Sequence, residues 1–136
     1  MLKAFASGQL FGASLGAARP RVLGLHGWGR DHSDLLGALG GFDAMAVDLP
    51  GFGATPAPRD GWGAAAYAAA VEPVLDEMAG PAVVVGHSFG GRVAVHLAAA
   101  HPDRVGAVVL AGVPLLRLPG PRRRPPLAFR AGRALH

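Results

Sequence analysis

The chain has 136 residues, 51% hydrophobic and 16% charged, with 13 basic and 9 acidic side chains and no cysteine. That length holds one domain at most, the composition excludes a disordered chain, and the lack of cysteine excludes disulfides, thiolate metal sites and cysteine nucleophiles. Six arginines and no acid fall in residues 117–136, so seven basic and nine acidic residues precede them; the basic excess belongs to this tail and does not mark the body as a nucleic-acid binder.

Residues 1–20 contain one lysine and no acid, but Ser7, Gly8, Gln9, Gly12 and Ser14 interrupt the continuous apolar stretch a secretory signal needs. Two short strands turning around Gly8 and Gly12 fit better. Val22–Leu25 is a short apolar run after Pro20 and reads as a buried strand. Residues 31–40 open on Asp31 and Ser33 and continue with Leu35, Leu36 and Leu39 at helical spacing. Ala44–Val47 is a second buried strand, followed by a loop over Pro50–Gly63 rich in proline and glycine. Residues 64–79 read as a helix closed by Gly80-Pro81, with Pro73 bending or breaking it.

Ala82–Val85 is apolar on both faces and is the plainest strand of the chain. Phe89–Ala100 follows as a helix with Val93, Val95, Leu97 and Ala98 expected inward, and Val105–Leu110 as a further buried strand. Strands apolar on both faces, alternating with helices, imply an α/β protein: a mostly parallel sheet flanked by helices. No apolar run reaches the ~18 residues of a membrane span. A cytoplasmic location is expected for want of a convincing signal. The arginine, alanine and glycine bias points to a G+C-rich, bacterial genome.

Gly86-His87-Ser88-Phe89-Gly90-Gly91 fits the G-x-S-x-G pattern, after a strand and before a helix, the context this turn requires. A sharp turn there strains the backbone of Ser88 and raises its hydroxyl above the sheet. Gly86 and Gly90 are expected because a Cβ would strike the neighbouring strand and helix. The helix N-terminus favours negative charge developing at the serine. His26-Gly27-Trp28-Gly29 follows the strand Val22–Leu25. Acyl transfer needs two backbone amides on the oxyanion; Phe89 and Trp28 are the candidates, with Gly27 and Gly29 letting the loop turn its amides inward.

His26 is expected to hold the loop by hydrogen bonding rather than to act as base. His87 is expected to point away from the hydroxyl. His32, His96 and His101 read as solvated or helix-end residues, and the spacing of His96 and His101 does not make a metal pair on one helix face. No metal site is expected.

Together with Asp48-Leu49-Pro50-Gly51-Phe52-Gly53, these motifs resemble the α/β-hydrolase superfamily in residue type, order and separation. The nearest flavour is that of small bacterial esterases, carboxylester hydrolases of the biotin and menaquinone pathways, and carbon–carbon bond hydrolases. The resemblance covers residues 1–116, the N-terminal half of such a fold. It implies Ser88 as nucleophile, Trp28 and Phe89 as oxyanion amides, and a structural role for Asp48 and its loop. It implies no metal or organic cofactor and a small-molecule acyl substrate. Serine at position 88 argues against the dehalogenase and epoxide hydrolase branches, which carry aspartate there.

The family's triad runs Ser, then Asp or Glu, then His. After Ser88 stand only Asp103, His96, His101 and His136. Asp103 falls at the wrong end of the sheet, and none of the histidines follows a strand on the catalytic edge. The expectation is a partial core over 1–116 whose C-terminal strands are missing. Residues 117–136 then form a basic, Pro/Arg-rich tail that begins a lid segment. Such a chain should turn over little by itself and self-associate through the exposed strand Val105–Leu110. The alternative is a non-catalytic remnant or partner-dependent binding protein; nucleic-acid binding through the arginines is weaker still, and no nucleic-acid or membrane partner is expected.

Overall fold

The computed structural model describes residues 1–114; the expectations for residues 117–136, including His136, lie outside them. Six strands form one sheet: β1 (Lys3–Phe5), β2 (Leu10–Leu15), β3 (Val22–Leu25), β4 (Ala44–Asp48), β5 (Ala82–His87) and β6 (Val105–Ala111). Their spatial order is β1-β2-β4-β3-β5-β6. β1, β2 and β4 pair antiparallel, while β4, β3, β5 and β6 run parallel.

Three helices connect the parallel strands: α1 (Ser33–Leu39), α2 (Ala64–Val71) and α3 (Phe89–Ala100). On β4, Ala44 and Ala46 face α1 through Leu35 and Leu39, while Met45 and Val47 join the larger core with Tyr67, Val71, Val93 and Leu97. The strand period of two thus places one helix on one face and two on the other. Gly24 makes room for α1: a Cβ there would stand 2.8 Å from Leu39 Cδ1. Among the described residues no helix is long and apolar enough to cross a membrane.

Several local expectations are corrected. Gly12 is not a turn residue; it lies inside β2, paired with Lys3 on one side and Val47 on the other. Its Cβ would fall 2.0 Å from the Ala46 carbonyl oxygen, so it is glycine for close approach. The turn is made by Ala6, Ser7 and Gly8, all at positive φ. The helix over 64–79 stops at Val71, and Glu72–Glu77 tightens into a 3-10 helix. Pro73 sits in its first turn, where the missing amide can no longer serve an α-helical ladder. Val95 faces solvent, because it stands two residues, about 200°, from both Val93 and Leu97, which point to the core.

Candidate active site

The carboxyl ends of β3, β4 and β5 lie side by side and carry the three motifs. Ser88 joins β5 to α3 with φ 49° and ψ −114°, a strained conformation for a residue with a Cβ. The strain is held from both directions. The Ser88 amide donates to the Ala111 carbonyl at 2.9 Å, and the Ser88 carbonyl accepts from Gly91 at 3.1 Å. A Cβ on Gly86 would lie 2.4 Å from Gly91 Cα, and one on Gly90 would lie 2.1 Å from the Leu25 carbonyl oxygen. A Cβ on Gly91 would meet Val113 at 2.1 Å. Each glycine of the motif therefore admits a different neighbour: helix, β3 and the segment after β6.

The His26-Gly27-Trp28-Gly29 loop comes against this turn. A Cβ on Gly27 would lie 3.4 Å from Ser88 Cβ and 3.1 Å from His87 Nδ1. Gly29 takes φ +73°, which glycine adopts without strain. The Trp28 amide has no acceptor among the described residues. Phe89 opens α3, so its amide has no intrahelical partner. An oxyanion beside Ser88 would need two such amides, and the loop that carries Trp28 meets the Ser88 turn at Gly27.

His26 is fully buried. Its Nε2 accepts from the Leu49 amide at 2.9 Å, and its Nδ1 lies 2.7 Å from the Gly27 carbonyl oxygen, to which it donates. Burial pushes its pKa below the ordinary 6.5. With both nitrogens engaged, the ring ties the β3 loop to the β4 loop and has none left for Ser88. His87 is exposed, its ring lying against Gly27 and Gly112, and no hydrogen bond joins it to the Ser88 hydroxyl.

Asp48, fully buried at the end of β4, organises the neighbouring loops. Its Oδ1 accepts from the amide and from Nδ1 of His32, each at 2.7 Å, and its Oδ2 accepts from the Ala54 amide at 2.9 Å. Gly53 packs on this carboxylate so closely that a Cβ would lie 2.2 Å from Oδ2. His32 stands at the N-terminal end of α1, as expected of a helix-end residue, but it is not simply solvated; it locks α1 to β4. Only tertiary contact joins two residues sixteen apart, so no spacing rule could have found the pair. Asp31 brings a donor atom within 4.8 Å of those of His32 and Asp48. Its Oδ1 accepts from Ser33, which holds its carboxyl below the ordinary range. An ion there would have to displace these hydrogen bonds.

The later candidates lie elsewhere. His96 and His101 line a groove between α2 and α3, at the end of α3 far from Ser88. Asp103 precedes β6, at the amino end of the parallel strands. Among the described residues none after Ser88 brings a carboxylate or imidazole to it.

A family model described as alpha/beta hydrolase fold matches residues 20–131. The chain is 46% identical over 110 residues to lipase LipV of Mycobacterium tuberculosis, covering 76% of this chain and 41% of that protein. It is 43% identical over 109 residues to the pimeloyl-[acyl-carrier protein] methyl ester esterase of Chromobacterium violaceum, covering 75% of this chain and 40% of that one. The crystal structure of the esterase Rv0045c of M. tuberculosis superposes with a TM-score of 0.72 at 36% identity, covering 81% of this chain and 41% of that chain. The chain spans about two-fifths of the length of these relatives.

Proposed function

The chain belongs to the α/β-hydrolase family, and on that premise we propose that Ser88 is the nucleophile of a carboxylic ester hydrolase. The relatives named as lipases and esterases support an ester as substrate. The observation that carries the reading is the strained Ser88 turn, with the amides of Phe89 and Trp28 free beside it.

Ser88 Oγ attacks the ester carbonyl carbon and gives its proton to a base. The carbonyl oxygen gains negative charge, which the two amides and the N-terminus of α3 stabilise. Collapse expels the alcohol, which takes up the proton, and leaves an acyl group on Ser88. Water then releases the acid. His26 and Asp48 act as positioning residues, holding the loops that present the amides. The base and its acidic partner are not among the described residues. Residues 1–114 therefore supply nucleophile and oxyanion donors, and this chain alone should turn over esters slowly.

A fluorophosphonate probe tests the nucleophile. Intact mass should show one adduct on the chain, slow to form, and none on Ser88→Ala. Equal labelling of that variant would overturn the assignment. The competing reading, a binding protein without catalysis, rests on there being no base beside Ser88 among the described residues; it predicts no adduct on either protein.

A further inference from the structure

Ala111, Gly112 and Val113, where β6 ends, touch three residues of the nucleophile turn. The Ala111 carbonyl accepts from the Ser88 amide at 2.9 Å. Gly112 lies against the His87 ring, its Cβ position 3.7 Å from Nε2. Val113 fills the space beside Gly91, where a Cβ would fall 2.1 Å from Cγ2 and 3.1 Å from Cγ1. Gly112 takes φ +60° and has ordinary room for a Cβ, so it is glycine for its backbone conformation. That conformation lets the chain leave β6 and set Val113 on α3.

A strained residue such as Ser88 persists only where its surroundings over-determine it. Two backbone hydrogen bonds fix it: its amide to Ala111, and its carbonyl from Gly91 at 3.1 Å. The first is made by the tripeptide itself. The second closes the turn from the helix side, and Val113 rests on the residue that makes it. The end of β6 therefore bears on both bonds, once directly and once by packing. Phe89, whose amide is the candidate oxyanion donor, lies between the two bonded residues in sequence.

We propose that Val113 is a positioning residue for the nucleophile. Its γ-methyl groups, seated on Gly91, hold the first turn of α3 so that the Ser88 hydroxyl and the Phe89 amide keep their places. It acts through Gly91 and not on the reacting atoms. The proposal deepens the reading of Ser88 as nucleophile and rests on it. A side chain that only filled a gap would change stability; one that positions the turn changes the reactivity of Ser88 in the folded chain.

Fluorophosphonate labelling of the full chain, followed by intact mass without denaturant, reads that reactivity. Val113→Ala should slow labelling roughly ten-fold, since displacing reacting groups by about 1 Å can cost about a hundredfold. Val113→Thr keeps the branched shape and should label within about three-fold of the wild type. The sharper test exchanges the groups. Gly91→Ala drives a methyl into Val113 and should slow labelling further than Val113→Ala does. Gly91→Ala/Val113→Ala gives that methyl the vacated space and should label faster than Gly91→Ala. Amide hydrogen exchange followed by NMR needs no catalysis: the Ser88 and Gly91 amides should exchange faster in Val113→Ala, with those of α2 unchanged. A lower urea midpoint with labelling and exchange as in the wild type overturns the proposal, as does a double variant no faster than Gly91→Ala. If Ser88→Ala still labels, or the wild type does not, the nucleophile reading fails and exchange alone decides whether Val113 holds the turn.

Discussion

β5 and β6 are nearly the same sequence in two different surroundings. Ala82-Val83-Val84-Val85 and Ala107-Val108-Val109-Leu110 are both wholly apolar and differ only in a leucine for the last valine. β5 lies between β3 and β6, and Val84 is fully buried. β6 ends the sheet among the described residues, and Val109 is 50% exposed. Strand-forming residues made both strands, but their neighbours decided which is core. The difference matters for function because the nucleophile turn hangs on β5, which is paired with a strand along each edge. Among the described residues an open apolar edge lies one strand away.

The largest test of that contrast uses glycines. Gly86→Ala in β5 puts a methyl 2.4 Å from Gly91 Cα, a backbone atom that cannot yield cheaply. It should cost about 3 kcal/mol or more in urea unfolding. Gly106→Ala at the start of β6 meets Pro81 Cβ at 3.4 Å and should stay within about 0.5 kcal/mol. Equal losses would erase the distinction between the two strands.

Valines give a smaller version. Val84→Ala should cost about 2 kcal/mol and Val109→Ala less than about 0.5 kcal/mol. If the β6 edge pairs chains together, Val109→Lys should lower the mass seen by light scattering after size exclusion. A monomeric wild-type chain would remove the edge as an association surface.

The smallest expected effect is pH-dependent and local to the β3 and β4 loops. Burial depresses the pKa of His26 below 6.5, so the unfolded chain takes up the proton first as pH falls. The stability this neutral ring contributes is complete above about pH 6.5 and declines below it, toward the folded pKa. The urea midpoint should drop between about pH 7.5 and pH 5.5 in the wild type, and less in His26→Gln. An identical drop in both proteins would remove His26 as the cause.

Much of the site was legible before folding was considered. G-x-S-x-G carries its own backbone geometry, because a strand-to-helix turn of that length forces Ser88 into strain and leaves space only for glycines. The HGWG loop was legible for the same reason. Gly12 misled because a glycine between apolar residues signals a turn and a close approach equally well; only the pairing of β2 with β4 separates them. Val95 misled because apolar content does not say which side of a helix faces the core. Asp48 could be read as structural, but its partners His32 and Ala54 could not, since hydrogen bonds across loops leave no periodicity.

What the sequence determined by itself is local: where strands and helices form, and which serine joins a strand directly to a helix. These follow from side-chain branching, the spacing of apolar residues and glycine's freedom, which act over a few residues. What only the tertiary structure decided is which elements are neighbours. It buried β5 and left β6 at the edge, closed both nitrogens of His26, locked His32 on Asp48 and set Val113 on Gly91. Those outcomes depend on packing between segments distant in the chain, and a side chain carries no local mark of the neighbour it will meet.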